Sequence, residues 1–129
     1  MAHTLSPLVG RLTGPAAIKA SFHPARVSDK FKLFPLEMAF RPSQIRATAA
    51  DTAMMVPAAI ELSRRYAEVE VPVVVMAGEG DLITHRDKHS ERLVAELKKG
   101  ELRVVPGQGH LLHYAVPNQV RDAINDISG

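Results

Sequence analysis

Asp81 ends the stretch Gly78-Glu79-Gly80-Asp81, and His110 ends the stretch Pro106-Gly107-Gln108-Gly109-His110. A carboxylate and an imidazole that meet form an acid–base pair. The imidazole takes a proton from a hydroxyl nucleophile, and the carboxylate holds the ring's tautomer and stabilises the imidazolium. Glycines ahead of each residue allow tight turns that present the two side chains. Taken singly, each has a plainer reading: Gly-Asp is common turn chemistry, and a lone histidine is an ordinary loop residue.

Other polar groupings carry less. His85 and His89 stand one helical turn apart, but the zincin pattern needs Glu after the first histidine and Arg86 is there instead. With Asp87, Lys88 and Glu91 around them, they read as a solvated helix face. His110 and His113 lack a third ligand. His85-Arg86-Asp87 echoes a kinase catalytic loop with no Gly-rich loop or Asp-Phe-Gly to support it. Gly78-x-Gly80 and Gly107-x-Gly109 lack the third glycine of a dinucleotide fingerprint. No metal and no cofactor is expected. Met54, Met55 and Val56 are candidates for lining an apolar substrate pocket, against the alternative of plain helix packing.

The elements that must position the acid and the histidine are readable. Val71-Pro72-Val73-Val74-Val75-Met76-Ala77 is a continuous apolar run ending at Gly78. Apolar residues on both alternating faces predict a strand of a parallel sheet, covered on both sides. A helix is predicted from about Thr84 to Lys99, with Leu93, Val94 and Leu97 inward and Gly100 as its stop. A second strand, Leu102 to Val105, follows, and a last helix starts near Pro117 with Val120, Ile124 and Ile127 on one face. Strand, helix, strand, helix reads as a right-handed βαβ crossover plus one covering helix. Parallel strands place their carboxyl ends side by side, so Asp81 and His110 are expected to meet.

Before residue 69 the grammar differs. Pro7, Pro15, Pro24, Pro35 and Pro42, with Gly10 and Gly14, leave room for short helices only, such as Leu5 to Leu12 and Ala16 to Phe22. Phe31, Leu33, Phe34, Leu36, Met38 and Phe40 form a dense apolar stretch that must cover something. Ser43 is a plausible N-cap for a helix carrying Ile45, Ala49, Ala53 and Val56. Pro57 would open a second helix with Ala59, Leu62 and Tyr66 on one side, making a bent pair.

Residues 71 to 127, with Gly78-Glu79-Gly80-Asp81, Ser90 to Leu97 and Val104-Val105-Pro106-Gly107-Gln108-Gly109-His110, resemble the carboxyl-terminal part of the α/β-hydrolase fold family. The resemblance implies a partial α/β-hydrolase fold: a helical cap-like segment over 1–67, then a core segment over 68–129 made of a parallel βαβ unit and a C-terminal helix. It implies hydrolysis of an ester, amide or related bond in a small apolar substrate, with Asp81 and His110 as the last two members of a Ser, Asp/Glu, His triad. The family's G-x-S-x-G elbow is missing. Ser6, Ser21, Ser28, Ser43, Ser63, Ser90 and Ser128 all lack the flanking glycines, and no H-G type oxyanion loop occurs. The chain is therefore expected to be a fragment, inactive alone, whose partners are a missing N-terminal half or a second copy besides the substrate. The competing expectation is a non-catalytic remnant that serves as an interaction module.

Composition excludes several classes. The chain has 129 residues, enough for one domain. Hydrophobic residues make up 46% and charged residues 23%, an ordinary globular balance that argues against disorder. Sixteen Lys+Arg against fourteen Asp+Glu leave a net charge of +2, with the basic residues scattered, so no nucleic-acid partner is expected. No apolar run approaches the ~20 residues of a membrane span, and Met1-Ala2-His3-Thr4 opens no secretory signal. A cytoplasmic location is expected. The absence of cysteine removes disulfides and thiolate chemistry together.

Overall fold

A computed structural model describes residues 2–128, with side chains described from residue 8 onward. Seven α-helices and two strands follow in the order α1 (Ala2–Phe22), α2 (Asp29–Lys32), α3 (Leu36–Ala39), α4 (Pro42–Ser63), β1 (Val73–Gly78), α5 (Ser90–Glu96), β2 (Gly100–Val105), α6 (Leu112–Ala115) and α7 (Pro117–Ser128). A 3-10 turn, Tyr66–Glu68, leads from α4 toward β1. The architecture is mixed α/β.

β1 and β2 pair in parallel, with Val73 opposite Gly100 and Gly78 opposite Val105. Pro72, which has no donor to give, stays outside the ladder, and β1 begins one residue later. β2 begins at Gly100 rather than Leu102, so Gly100 opens the strand instead of ending the helix. α5 and α7 both pack against β1; Leu93 of α5 shares a cleft with Val75, and Val120 and Ile124 of α7 share another with Val74 and Met76. The helices thus occupy opposite faces of β1, as alternation of side chains along a strand requires.

α5 is shorter than the predicted helix over Thr84 to Lys99. The backbone N–H groups of Ile83 and Thr84 both donate to Asp81 Oδ1, at 2.8 and 2.9 Å. That turn takes the chain out of helical geometry, and Arg86 to His89 form a further turn before α5 starts at Ser90. An aspartate side chain that captures the next backbone donors competes directly with a helix start.

Two corrections fall in the first half. α1 is one helix and not two short ones. A proline inside a helix costs ~3 kcal/mol, yet α1 runs through Pro15, and the Phe40 ring lies along the same stretch of its backbone. A Cβ at Gly10 or Gly14 would fall 2.5 or 2.6 Å from that ring, so the two glycines form its seat. α4 likewise runs unbroken through Pro57, and the bent helix pair does not form. One missing donor leaves the helical bonds on both sides in place. Pro42 itself is the first residue of α4, with Arg41 at the cap position expected of Ser43.

The core is small: Phe22, Ala77, Val105, Leu112 and Ala123. Phe22, 1% exposed, meets Phe31 edge-on at 5.3 Å and Tyr114 at 6.5 Å, which ties the end of α1 to α6. Phe31 and Phe40 of the apolar stretch are thus accounted for. Leu33 and Met38 remain exposed. Among the described residues, no helix is long and apolar enough to cross a membrane.

Candidate functional site

The two turns beyond the strand ends lie side by side because the strands are parallel and adjacent. Glu79 N–H donates to the Val105 carbonyl at 3.0 Å, and Gly80 N–H to the Gln108 carbonyl at 2.9 Å. Glu79 Oε2 accepts from Gly107 N–H at 3.0 Å, a further tie between the acid turn and the histidine turn. Gly109 sits where no side chain fits: a Cβ there would fall 2.4 Å from the His23 carbonyl oxygen. That close approach lets the Ser21 carbonyl accept from His110 N–H at 2.8 Å. The last turn of α1 therefore anchors the backbone of the histidine.

On this frame Asp81 Oδ2 and His110 Nδ1 stand 2.9 Å apart. The Asp81 side chain is 8% exposed and that of His110 is 38% exposed. Burial raises the Asp81 pKa, but the backbone donors of Thr84 and Ile83 and the His110 ring together outweigh it and hold the carboxyl below its ordinary value. A carboxylate can only accept, so His110 Nδ1 carries the hydrogen, and Nε2 is left as a base with a free lone pair. The Thr84 hydroxyl lies 3.4 Å from the same Nδ1, too far to displace the carboxylate. An acid and a base in this order can pull a proton from a hydroxyl and hold the resulting imidazolium.

The other candidates are not gathered here. Met54, Met55 and Val56 are 72%, 62% and 59% exposed on α4. Val56 alone of the three borders a cleft of about 570 Å³ between α4, α5 and β1, whose wall includes Thr84 but not His110. His110 instead borders a cleft of about 350 Å³ with Val74, Met76, Leu112 and Ile124, where His113 is the only other polar member. His85 is exposed beside its turn, and among the described residues no three His, Asp or Glu side chains gather as a metal site would need.

Thr84, Glu79 and the Ser21 carbonyl are parts of the site that sequence reasoning missed. Asp81-Leu82-Ile83-Thr84 carries the short-range signal of an aspartate turn and could have been read as one. Nothing in the sequence marks a backbone carbonyl on α1. No family model, curated protein or solved structure matches the chain.

Proposed function

We propose that this chain carries the acid–base half of an α/β-hydrolase-type site. In this reading Asp81 orients the ring, and His110 Nε2 takes the proton from a nucleophilic hydroxyl as it attacks an ester, amide or related bond of a small apolar substrate. His110 then returns that proton to the leaving group, while the Asp81 carboxylate stabilises the imidazolium throughout. The observation that carries the proposal is the Asp81–His110 contact of 2.9 Å with its single allowed tautomer. The nucleophile is drawn from outside these 129 residues, since no G-x-S-x-G elbow lies within them. The resemblance noted above supports the reaction class; the bond cleaved follows from nothing narrower than that class.

Two measurements test this. Purified protein given a short acyl ester should show no turnover, because loss of a triad nucleophile costs on the order of a million-fold. Turnover above ~1 per second that disappears in His110→Ala would contradict the absence of a nucleophile. Ring nitrogen-15 NMR should place the hydrogen of neutral His110 on Nδ1, and Asp81→Asn, which can donate as well as accept, should shift it toward Nε2. A tautomer unchanged by that substitution would remove the acid from its role.

The competing reading, a non-catalytic interaction module, draws on a different observation: among the described residues, β1 has a strand neighbour on one edge only.

A further inference from the structure

In a parallel ladder, alternate residues turn their N–H and C=O groups to opposite edges. Val73 N–H donates to the Lys99 carbonyl and Glu79 N–H to the Val105 carbonyl, so the odd-numbered residues of β1 face β2. Val74 and Met76 consequently present their backbone groups to the other edge, where the described residues supply no strand. Val73 to Ala77 contain no charge and no proline, two of the usual protections of an open edge. Beside that edge the same two side chains floor the 350 Å³ cleft, walled by Ile124 and Ile127, which are 56% and 41% exposed.

We infer that a second copy of this chain covers the edge, with β1 pairing antiparallel to β1 about a two-fold axis at Val75. The edge is self-complementary in this register. Val74 falls opposite the second copy's Met76, and each pair exchanges two backbone hydrogen bonds. Pairing ends at the next position, where Pro72 has no N–H and faces a Gly78 whose carbonyl already accepts from Asp81 N–H at 3.2 Å. Glu79 falls opposite Val71 and Glu70 opposite Gly80, so no like charges are opposed. A stable interface removes ~800 Å² from each partner, more than a short strand contact supplies. The axis also brings the two α7 flanks, with the exposed Ile124 and Ile127, to the same face, and the dimer requires their contact to supply the rest. Such an isologous contact closes on itself and stops at the dimer. Antiparallel pairing sets the two Asp81–His110 pairs at opposite ends of the shared sheet. Neither copy reaches the other's histidine, so the dimer adds no residue to the Asp81–His110 pair, but it closes over the cleft that His110 borders.

The chain has no cysteine, so a single introduced one gives a clean readout. Opposed Val75 residues would form a non-hydrogen-bonded pair with Cα atoms ~4.5 Å apart, within disulfide reach. Val75→Cys should therefore yield a covalent dimer on mild oxidation. Val73→Cys should not, because its two copies would lie ~13 Å apart along the strands. Sedimentation at about 0.15 M salt should show wild-type dimer, and folded monomer for Val74→Lys and for Ile124→Lys. Equal cross-linking at 73 and 75 would mean a parallel register and overturn the proposal. So would a wild-type monomer at ~100 µM, a concentration at which even a micromolar dimer is mostly formed. Growth beyond the dimer would point to open-ended edge pairing and would also overturn it.

Discussion

The second half of the molecule and the first differ in how their apolar residues are used. Between Val73 and Ser128, two strands in register hold Ala77, Val105, Leu112 and Ala123 out of water. In the first half only Gly14 and Phe22 are buried among the described side chains. α4 is 22 residues long and rich in alanine and methionine, yet it buries none of them. The contrast is one of pattern and not of apolar content. The βαβ unit repeats its apolar residues with the period of its elements, so each face meets a partner. On α4 the apolar residues run around the helix, and no single stripe selects a neighbour. Helices of this kind take their stability from what packs on them, and here that is α1 and α3.

The sharpest way to break this comparison is to remove the residue that joins the two halves. Phe22→Ala should cost about 3–5 kcal/mol, as large-to-small changes of buried aromatics do. Met55→Ala on α4 should cost less than ~0.5 kcal/mol, the usual range for an exposed position. Denaturant titration of both variants measures the ratio. A comparable loss at Met55 would mean that α4 is covered after all.

Gly109→Ala comes next. Its Cβ would press on the carbonyls of the α1 end, and overpacking of this kind costs ~1–3 kcal/mol. The added loss should be accompanied by a shift of the His110 ring signals in NMR, since the same contact anchors the histidine backbone.

Asp81→Asn sharpens the comparison through pH. The folded Asp81 pKa lies below its unfolded value, so its carboxylate stabilises the protein above pH ~4, the usual aspartate range, and that contribution is lost as pH falls through the folded value. Melting at pH 7 and pH 3 should show a smaller acid loss for Asp81→Asn than for the parent. Asp29, held low by Lys32 on the exposed first half, makes the control. Asp29→Asn should change the acid loss less than Asp81→Asn does, and its effect should vanish in salt.

The smallest effect belongs to Arg103, which joins Glu101 on β2 to Asp126 on α7. Arg103→Gln should lower the melting temperature slightly at low salt and not at all at about 1 M, where exposed ion pairs are screened. A loss that persists in high salt would show that the side chain's apolar stem, and not its charge, holds α7 to the sheet.

Legibility follows the same division. The strand at Val73, the parallel partner and the α7 helix could be read because burial on both faces and a clear helical stripe leave a signal in residue type. Asp81 and His110 could be paired from their places behind two strands. The unbroken course of α1 and α4 could not be read, since proline and glycine mark helix ends in general, whereas here two glycines of α1 seat the Phe40 ring and α4 continues past the one donor lost at Pro57. The late start of the predicted helix, at Ser90 and not Thr84, came from the Asp81 side chain capturing two backbone donors, a local competition that residue periodicity does not report.

By itself the sequence determined which residues could do acid–base chemistry and which segments would be strands, because both depend on residue type and short-range order. Only the tertiary structure decided that the Asp81 carboxyl is buried while the His110 ring stays open to solvent, and which cleft that ring borders. It also decided that Glu79 ties the acid turn to Gly107 of the histidine turn, and that Ser21, far away in the chain, anchors the backbone of His110. Those outcomes depend on distances between segments that are remote in sequence, and such distances are set by how β1, β2 and the end of α1 pack, not by any residue's own preference.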